Sequence, residues 1–459
     1  MTGQQLRWTA EQVMALAPDA ASQKAGSKLS APAPWSETGQ CEGALWGLCK
    51  GSGKTPYRTA VDFTDPAAPA YACSCPSRKF PCKHALGLLL LSARDTTAVP
   101  TGPLSPPEWV AGWLSGRRDR AGAAAATGGH SPGRAPADPA AARKRAERRA
   151  RRIAAGTEEL EQRLADLLHG GLAGADRSGY AGWDEMAARM VDAQAPGLAA
   201  RVRELAGIPA SGTGWPSRLL AECSLLHLLN RGCLRLDALP GELAATVRSR
   251  VGLSIDSAAL LAEHSERGTL VRDHWLVLGS QDRREDRLTV RRIWLFGTGT
   301  GRMALLLAFG TGQTAPELAL PPGVLLDASL AFYPGGAPLR AALGERHAQG
   351  TAGPEPPGTD PAGALAAYGR ALAADPWLES WPVVLSGVIP LPAPADGPGG
   401  WQLAAQHGEA ALPLHPASGD ARWVLAAISG GHPVTVFGEC GHEGFLPHTV
   451  WSEGKEVPL

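Results

Sequence analysis

Residues 71–91 read YACSCPSRKFPCKHALGLLLL. Cys73 and Cys75 stand one residue apart, six residues separate Cys75 from Cys82, and His84 lies two positions further on. Three thiols and one imidazole within twelve residues are a complete ligand set for a tetrahedral zinc ion. In an extended segment residues i and i+2 share a face, so both thiolates of Cys-x-Cys can turn to one ion. Pro76 and Pro81 fix φ in the return loop and lower the entropy lost when the site closes. Cys82-Lys83-His84 runs straight into Ala-Leu-Gly-Leu-Leu-Leu-Leu, which predicts the first turn of a buried helix. A helix start favours ligands that carry negative charge. The stretch therefore predicts a small β-sheet and helix module around one zinc ion held by Cys73, Cys75, Cys82 and His84. Every position is filled by a strong ligand and none is left for water or substrate, so the ion is expected to be structural.

The order Cys-x-Cys-x(n)-Cys-x-His, with six residues in the gap, resembles the SWIM zinc finger. The flanks GSGKTPYRTAVDF and CKHALGLLLL are similar to those of SWIM-finger proteins common in actinobacteria, over roughly residues 41–94. The resemblance implies a short β-hairpin and helix clamping zinc, and a role in binding DNA or protein. It implies no reaction.

A chain of 459 residues should hold about two to three domains. It has no run of eighteen apolar residues, so no membrane span is expected. The opening MTGQQLRWTAEQVMALA lacks the charged start, apolar core and cleavage site of an export signal. Together with free thiols, that points to the cytoplasm. Net charge is zero but unevenly spread. Residues 1–115 hold ten Lys/Arg against eight Asp/Glu, residues 116–152 eleven against three, and residues 153–459 twenty-three against thirty-three. A basic connector thus joins a near-neutral module to an acidic body, a pattern that suggests nucleic-acid contact or a connector lying on its own body.

The pattern along the chain predicts an α+β protein in three parts. Residues 1–115 form the zinc module. A first helix is signalled by the capping-box spacing of Thr9 and Gln12, with Trp8 and Val13 at the staple positions. Ala25–Gly39 reads as an irregular Gly/Ser/Pro-rich connection, and Ala44–Cys49, Tyr57–Phe63 and Ala70–Ser74 read as strands. In the middle strand Tyr57, Thr59, Val61 and Phe63 alternate onto one side. A short helix from Pro107 to about Gly116 places Trp109, Val110, Trp113 and Leu114 on one face. Residues 116–142, rich in Ala, Gly, Pro and Arg, read as a flexible linker. Residues 143–459 form the acidic body. It is helical over 143–268, starting after a possible Asp138-Pro139 cap, and antiparallel β-rich over 269–459. LVRDHWLVLG, RLTVRRIWLFG and GRMALLLAFG read as a meander; RWVLAAIS, HPVTVFG and HTVWSEG read as later strands.

Other motifs fail on context. Gly51-Ser-Gly-Lys-Thr55 resembles a phosphate loop, but Leu48 occupies its first glycine position and a strand follows instead of a helix. GTGTG at 297–301 joins two strand-like runs and reads as a turn. Cys41, Cys49, Cys223 and Cys233 read as buried free cysteines. Cys440-Gly-His442, with His448 after it, repeats only half of the finger. No nucleophile or paired-carboxylate context surrounds the scattered histidines, so a non-enzymatic protein is expected. Most of the fourteen tryptophans fit core positions. Basic residues are candidate phosphate contacts: Arg78 and Lys79 on the inter-ligand loop, Lys83 beside it, and Arg143, Lys144, Arg145, Arg148 and Arg149 on the connector. The expected partner is DNA or RNA. The alternative is a protein-interaction adaptor in which the finger docks a partner and zinc is purely structural.

Overall fold

The computed structural model describes residues 10–17, 20–41, 43–51, 53, 55–63, 69–77, 81–94, 98–100, 105–127, 139–172, 179–253, 255–285, 288–311, 316, 318–348, 350–392, 400–406 and 410–459. The Thr9 cap and its Trp8 staple lie outside them, as does Asp138.

The N-terminal module holds helices α1 (Ala10–Ala15) and α2 (Ala20–Ser27), strands β1 (Trp35–Cys41), β2 (Ala44–Cys49), β3 (Tyr57–Asp62) and β4 (Ala70–Cys73), and helices α3 (Lys83–Arg94) and α4 (Glu108–Thr127). The strands form one antiparallel sheet in sequence order. α3 packs Leu86 and Leu88–Leu91 with Leu45 and Val61 on one face. α4 packs Val110 and Leu114 with Ala44, Trp46 and Ala60 on the other. With a helix over each face, Thr59, Ala60 and Val61 are all fully buried, so the expected one-sided alternation of this strand gives way to two-sided burial. β1 lies partly in the stretch expected to be irregular. Gly39 is the reason the strand can pair there: a Cβ would sit 2.5 Å from the Trp46 ring, which crosses this position. The element after β2 is strand β3, so a strand and not a helix follows Gly51–Thr55 in the chain.

α4 continues to Thr127, well into the stretch expected to be linker, because its Ala-rich sequence has high helix propensity even without much to bury. α5 (Pro139–His169) follows and ends at Gly170 and Gly171, the latter left-handed at φ 79°. Helices α6 (Gly179–Asp192), α7 (Pro196–Gly207), α8 (Trp215–Leu234), α9 (Gly241–Val251) and α10 (Ser257–Glu266) complete the helical region. Ile153, Leu160 and Leu164 of α5, at helical spacing, pack with Met190, Val202, Leu226 and Val247.

Strands β5 (Val271–Glu285), β6 (Leu288–Gly297) and β7 (Met303–Thr311) form the expected meander. The Thr298–Thr300 segment is its turn, held by the buried carboxylate of Asp273, which accepts from the Gly299 and Thr300 amides and the Thr300 hydroxyl. β8 (Val324–Phe332) returns beside β5, and β9 (Ala341–Arg346) and β10 (Thr351–Ala352) pair with β8. A parallel bridge between Leu305 and Arg340 brings the start of β9 against β7, so the sheet curls toward closure around Trp275, Ile293, Leu295 and Leu330.

The final layer is a six-stranded antiparallel sheet, order β13-β12-β11-β14-β15-β16, after helix α11 (Pro361–Ala374). Its strands are β11 (Ser380–Leu391), β12 (Gln402–Ala405), β13 (Ala411–Pro413), β14 (Val434–Gly441), β15 (Gly444–Ser452) and β16 (Lys455–Pro458). RWVLAAIS, expected as a strand, is instead helix α12 (Ala421–Ser429). Burial there follows a helical period, with Leu425 and Ser429 inside and Trp423 and Val424 exposed, and left-handed Gly430 ends it. α11 and α12 cover one face of this sheet through Ala364, Tyr368 and Leu425. The other face meets β5–β7 through Leu276, Trp294, Val384 and Phe437. The helical region is tied to this body by Trp377, whose indole donates to the Leu225 carbonyl at 2.9 Å, and by the Arg250–Asp375 ion pair.

Candidate metal centre

Cys73 is the last residue of β4, paired with Thr59 on β3. Pairing continues one residue further: the Ser74 amide donates to the Arg58 carbonyl at 3.0 Å, and the Arg58 amide donates to the Ser74 hydroxyl at 2.9 Å. That holds the Cys-x-Cys arm extended, with Cys73 and Cys75 on the same side. Cys82 stands immediately before α3, and its carbonyl accepts from the Leu86 amide at 3.0 Å. His84 lies in the first turn of α3 and is buried.

The four ligand atoms lie within 4.8 Å of one another, and Cys73 Sγ is 3.7 Å from His84 Nδ1. A tetrahedral zinc with bonds of about 2.3 Å to sulfur and about 2.0 Å to nitrogen would set such ligand atoms roughly 3.5–3.8 Å apart. The donor set fits the ion in type, number and spacing. Hydrogen bonds from the neighbouring Cys73 and Cys82 thiols, with His84, drive the Cys75 thiol far below its ordinary value. Burial opposes a charged His84 ring, yet hydrogen bonding to Cys73 and Cys75 raises it to about 9. Hydrogen bonds to Cys73 and Cys75, and then burial, push the Cys82 thiol up, so the four groups share protons that a bound zinc would displace. Cys49, buried nearby on β2, is pushed up to about 11 by burial and then by the charge of Cys73. Among the described residues its sulfur is not part of the cluster of ligand atoms, and the set stays at four. Cys41, expected to be buried, is only half-buried.

Two supporting residues escaped the sequence reading of the site. The Thr59 hydroxyl lies 3.3 Å from Cys73 Sγ, and the Tyr57 ring packs against the His84 ring at 4.7 Å between centroids. Their signal was the pairing of β3 with the ligand strand. Thr59→Val should weaken zinc binding about 10- to 100-fold by removing a hydrogen bond to the thiolate while keeping the volume. Competition with a metal-binding dye measures this; unchanged affinity would show that the hydroxyl does not support the site.

The nucleic-acid candidates are distributed over different elements. Lys83 is exposed at the first position of α3, and Lys144 and Arg148 are exposed on α5. Arg149 is half-buried and donates to the Gln194 carbonyl at 3.4 Å, so it is engaged with α6–α7. Arg78 and Lys79 lie outside the described residues, as do the side chains of Arg143 and Arg145. Cys440 is buried in the last sheet, and His448 is hydrogen-bonded to Glu439 and Gln281. Among the described residues the only group arranged to hold a metal is the four-residue cluster.

A closed Cys3His set at the junction of a β-sheet and a helix defines a zinc-binding module whose ion is structural. Residues 57–92 match the SWIM zinc finger, and residues 148–251, from within α5 to the end of α9, match the SWIM-associated four-helix bundle domain. The chain thus carries a SWIM-type zinc finger and a SWIM-associated helical domain. Its likeness extends well beyond the finger, into the helical region. No curated protein and no solved structure gives a significant match.

Proposed function

We propose that this protein is a non-enzymatic nucleic-acid-binding protein that contacts DNA or RNA through its finger and the basic half of α5. The observation that carries the reading is a stripe on α5. Lys144, Arg148 and Arg151, at i, i+4 and i+7, are all exposed along one side of the helix. Among the described side chains of this helix, the first in the hydrophobic core is Ile153. Lys83 adds a cation beside the zinc centre, and Arg78 and Lys79, on the loop between the ligands in sequence, are taken as further phosphate contacts. Such contacts act on phosphates and are sequence-independent, so affinity should fall steeply with salt. No helix among the described residues is long and apolar enough to cross a membrane; free cysteines beside a zinc site favour the cytoplasm as the compartment.

The test is fluorescence anisotropy of labelled single- and double-stranded DNA against the zinc-loaded protein over a salt series. The triple variant Lys144→Ala/Arg148→Ala/Arg151→Ala should bind more weakly, with a log–log salt slope shallower by about 3. An unchanged slope would remove α5 from the interface. Absence of binding at low salt would sink the reading.

A second reading, a protein-interaction adaptor, draws on the body. Residues 153–459 carry thirty-three acidic against twenty-three basic side chains, which disfavours their lying on a polyanion. Trp423 stands 58% exposed on α12, a residue type common at the centre of protein interfaces. A partner retained at high salt and lost in Trp423→Ala would favour the adaptor.

A further inference from the structure

A cleft of about 1080 Å³ opens where α7 and α8 meet the two C-terminal sheets. Several charges around it are paired: Arg250 with Asp375, Arg201 with Glu379, and Arg292 with Glu439. On the strand wall the balance fails. Arg283 of β5 and Arg340, just before β9, line the cleft without an acidic partner among the described residues. Register places them with Arg292. Gln281 pairs with Arg292 across β5 and β6, so Arg283, two residues along, shares that face one diagonal step away. Arg340 joins through its bridge to Leu305 on β7, the strand that pairs with β6. Its guanidinium rests 4.4 Å from the Tyr333 ring centroid, which orients it without neutralising it. Glu439 bonds Arg292 directly and is shared with Ser380 and His448, while Glu379, also lining the cleft, bears on Arg292 through its charge.

Arg283 and Arg340 have no acidic partner of their own among the described residues, and Arg283 repels Arg292 through its charge, so a further anion between them is favoured. Burial lowers the Arg292 pKa; Glu439 opposes that, and the charge of Arg283 lowers it again. Planar, forked guanidinium donors match the oxygens of phosphate and carboxylate groups. Across the cleft Glu204 of α7 and Glu222 of α8 repel any anion that reaches over. We propose that this arginine wall binds a compact, multiply charged oxyanion, with Arg283 and Arg340 as direct contacts and Arg292 as the fixed charge behind them. The site is separate from the α5 stripe, and its geometry selects against a long polyanion.

Isothermal titration of the full, zinc-loaded chain with pyrophosphate and, separately, with citrate at low chloride tests this. Zinc content is measured before and after, since both anions chelate. Saturable binding of at least one anion is expected, weakened about tenfold or more in Arg283→Ala/Arg340→Ala at unchanged melting temperature. Preference for pyrophosphate assigns a phosphoryl ligand; preference for citrate assigns a carboxylate. The Arg283→Lys/Arg340→Lys variant should fall between, keeping charge and losing the fork. The α5 variant Arg148→Ala should bind as the wild type does. Failure of both anions to bind at millimolar concentration, or equal affinity in the double Ala variant, overturns the proposal.

Discussion

Cys73→Ser or His84→Ala should reduce bound zinc from one ion per chain to none and unfold the N-terminal module, leaving the rest of the chain folded. The ion closes a site whose four ligands come from the end of β4, the loop after it and the start of α3. In such sites metal-binding energy is folding energy, on the order of 10 kcal/mol or more, comparable to the entire stability of a domain. Loss of one ligand also leaves thiolates buried beside a reduced positive charge. The body should survive because its cores are its own. The clusters around Leu45 and Trp46 use only residues of the N-terminal module, and the helical and β-sheet cores use none of them. Metal analysis with two-probe thermal melting checks this. A single transition lost together with the zinc would show that the module and body fold as one unit.

The zinc centre was legible because its ligands are local: twelve residues contain the whole donor set, and a strand pattern and a leucine run flank it. Elements buried by their neighbours were harder. β1 carries Gly39 where an ordinary strand would carry a side chain, and only the Trp46 ring from β2 explains it. α12 packs mainly Leu425 into the core, so its short apolar run cannot be told from a strand without knowing what covers it. Thr59 reaches the ligand Cys73 through a pairing between strands that spacing does not reveal. The cleft was invisible for a related reason. Arg283, Arg292, Arg340 and Glu439 are spread over more than 150 residues and meet only when the two sheets stack.

That stacking rests on a polar knot in an otherwise apolar layer, and Glu439→Gln should destabilise the body by about 3–5 kcal/mol. Glu439, 4% exposed on β14, accepts from His448 Nε2 at 3.1 Å, Arg292 Nη2 at 3.1 Å and the Ser380 hydroxyl at 3.0 Å. Gln281 donates to His448 Nδ1 at 2.6 Å, which fixes the neutral ring with its proton on Nε2, and the Trp294 ring stacks on it at 4.8 Å. Burial alone would raise the Glu439 carboxyl, but His448 and the charge of Arg292 hold it at about 2, against an ordinary value of 4.5. That gap corresponds to roughly 3 kcal/mol, present above pH 4.5 and lost as pH falls toward 2. Burial lowers the His448 pKa, although Glu439 opposes it, so acidification below its ordinary 6.5 also favours the unfolded chain. Both shifts have the same sign: stability of the body should decline from about pH 6.5 downward, most steeply below 4.5. Removing the charge in Glu439→Gln leaves Arg292 unpaired against Arg283 and lowers the melting temperature by on the order of 10 °C at pH 7. It should also flatten the acid limb below pH 4.5, because the group that titrates there is gone. A variant that melts like the wild type and keeps the same acid limb would show that apolar contacts of Trp294, Phe437 and Val384 alone hold the sheets together.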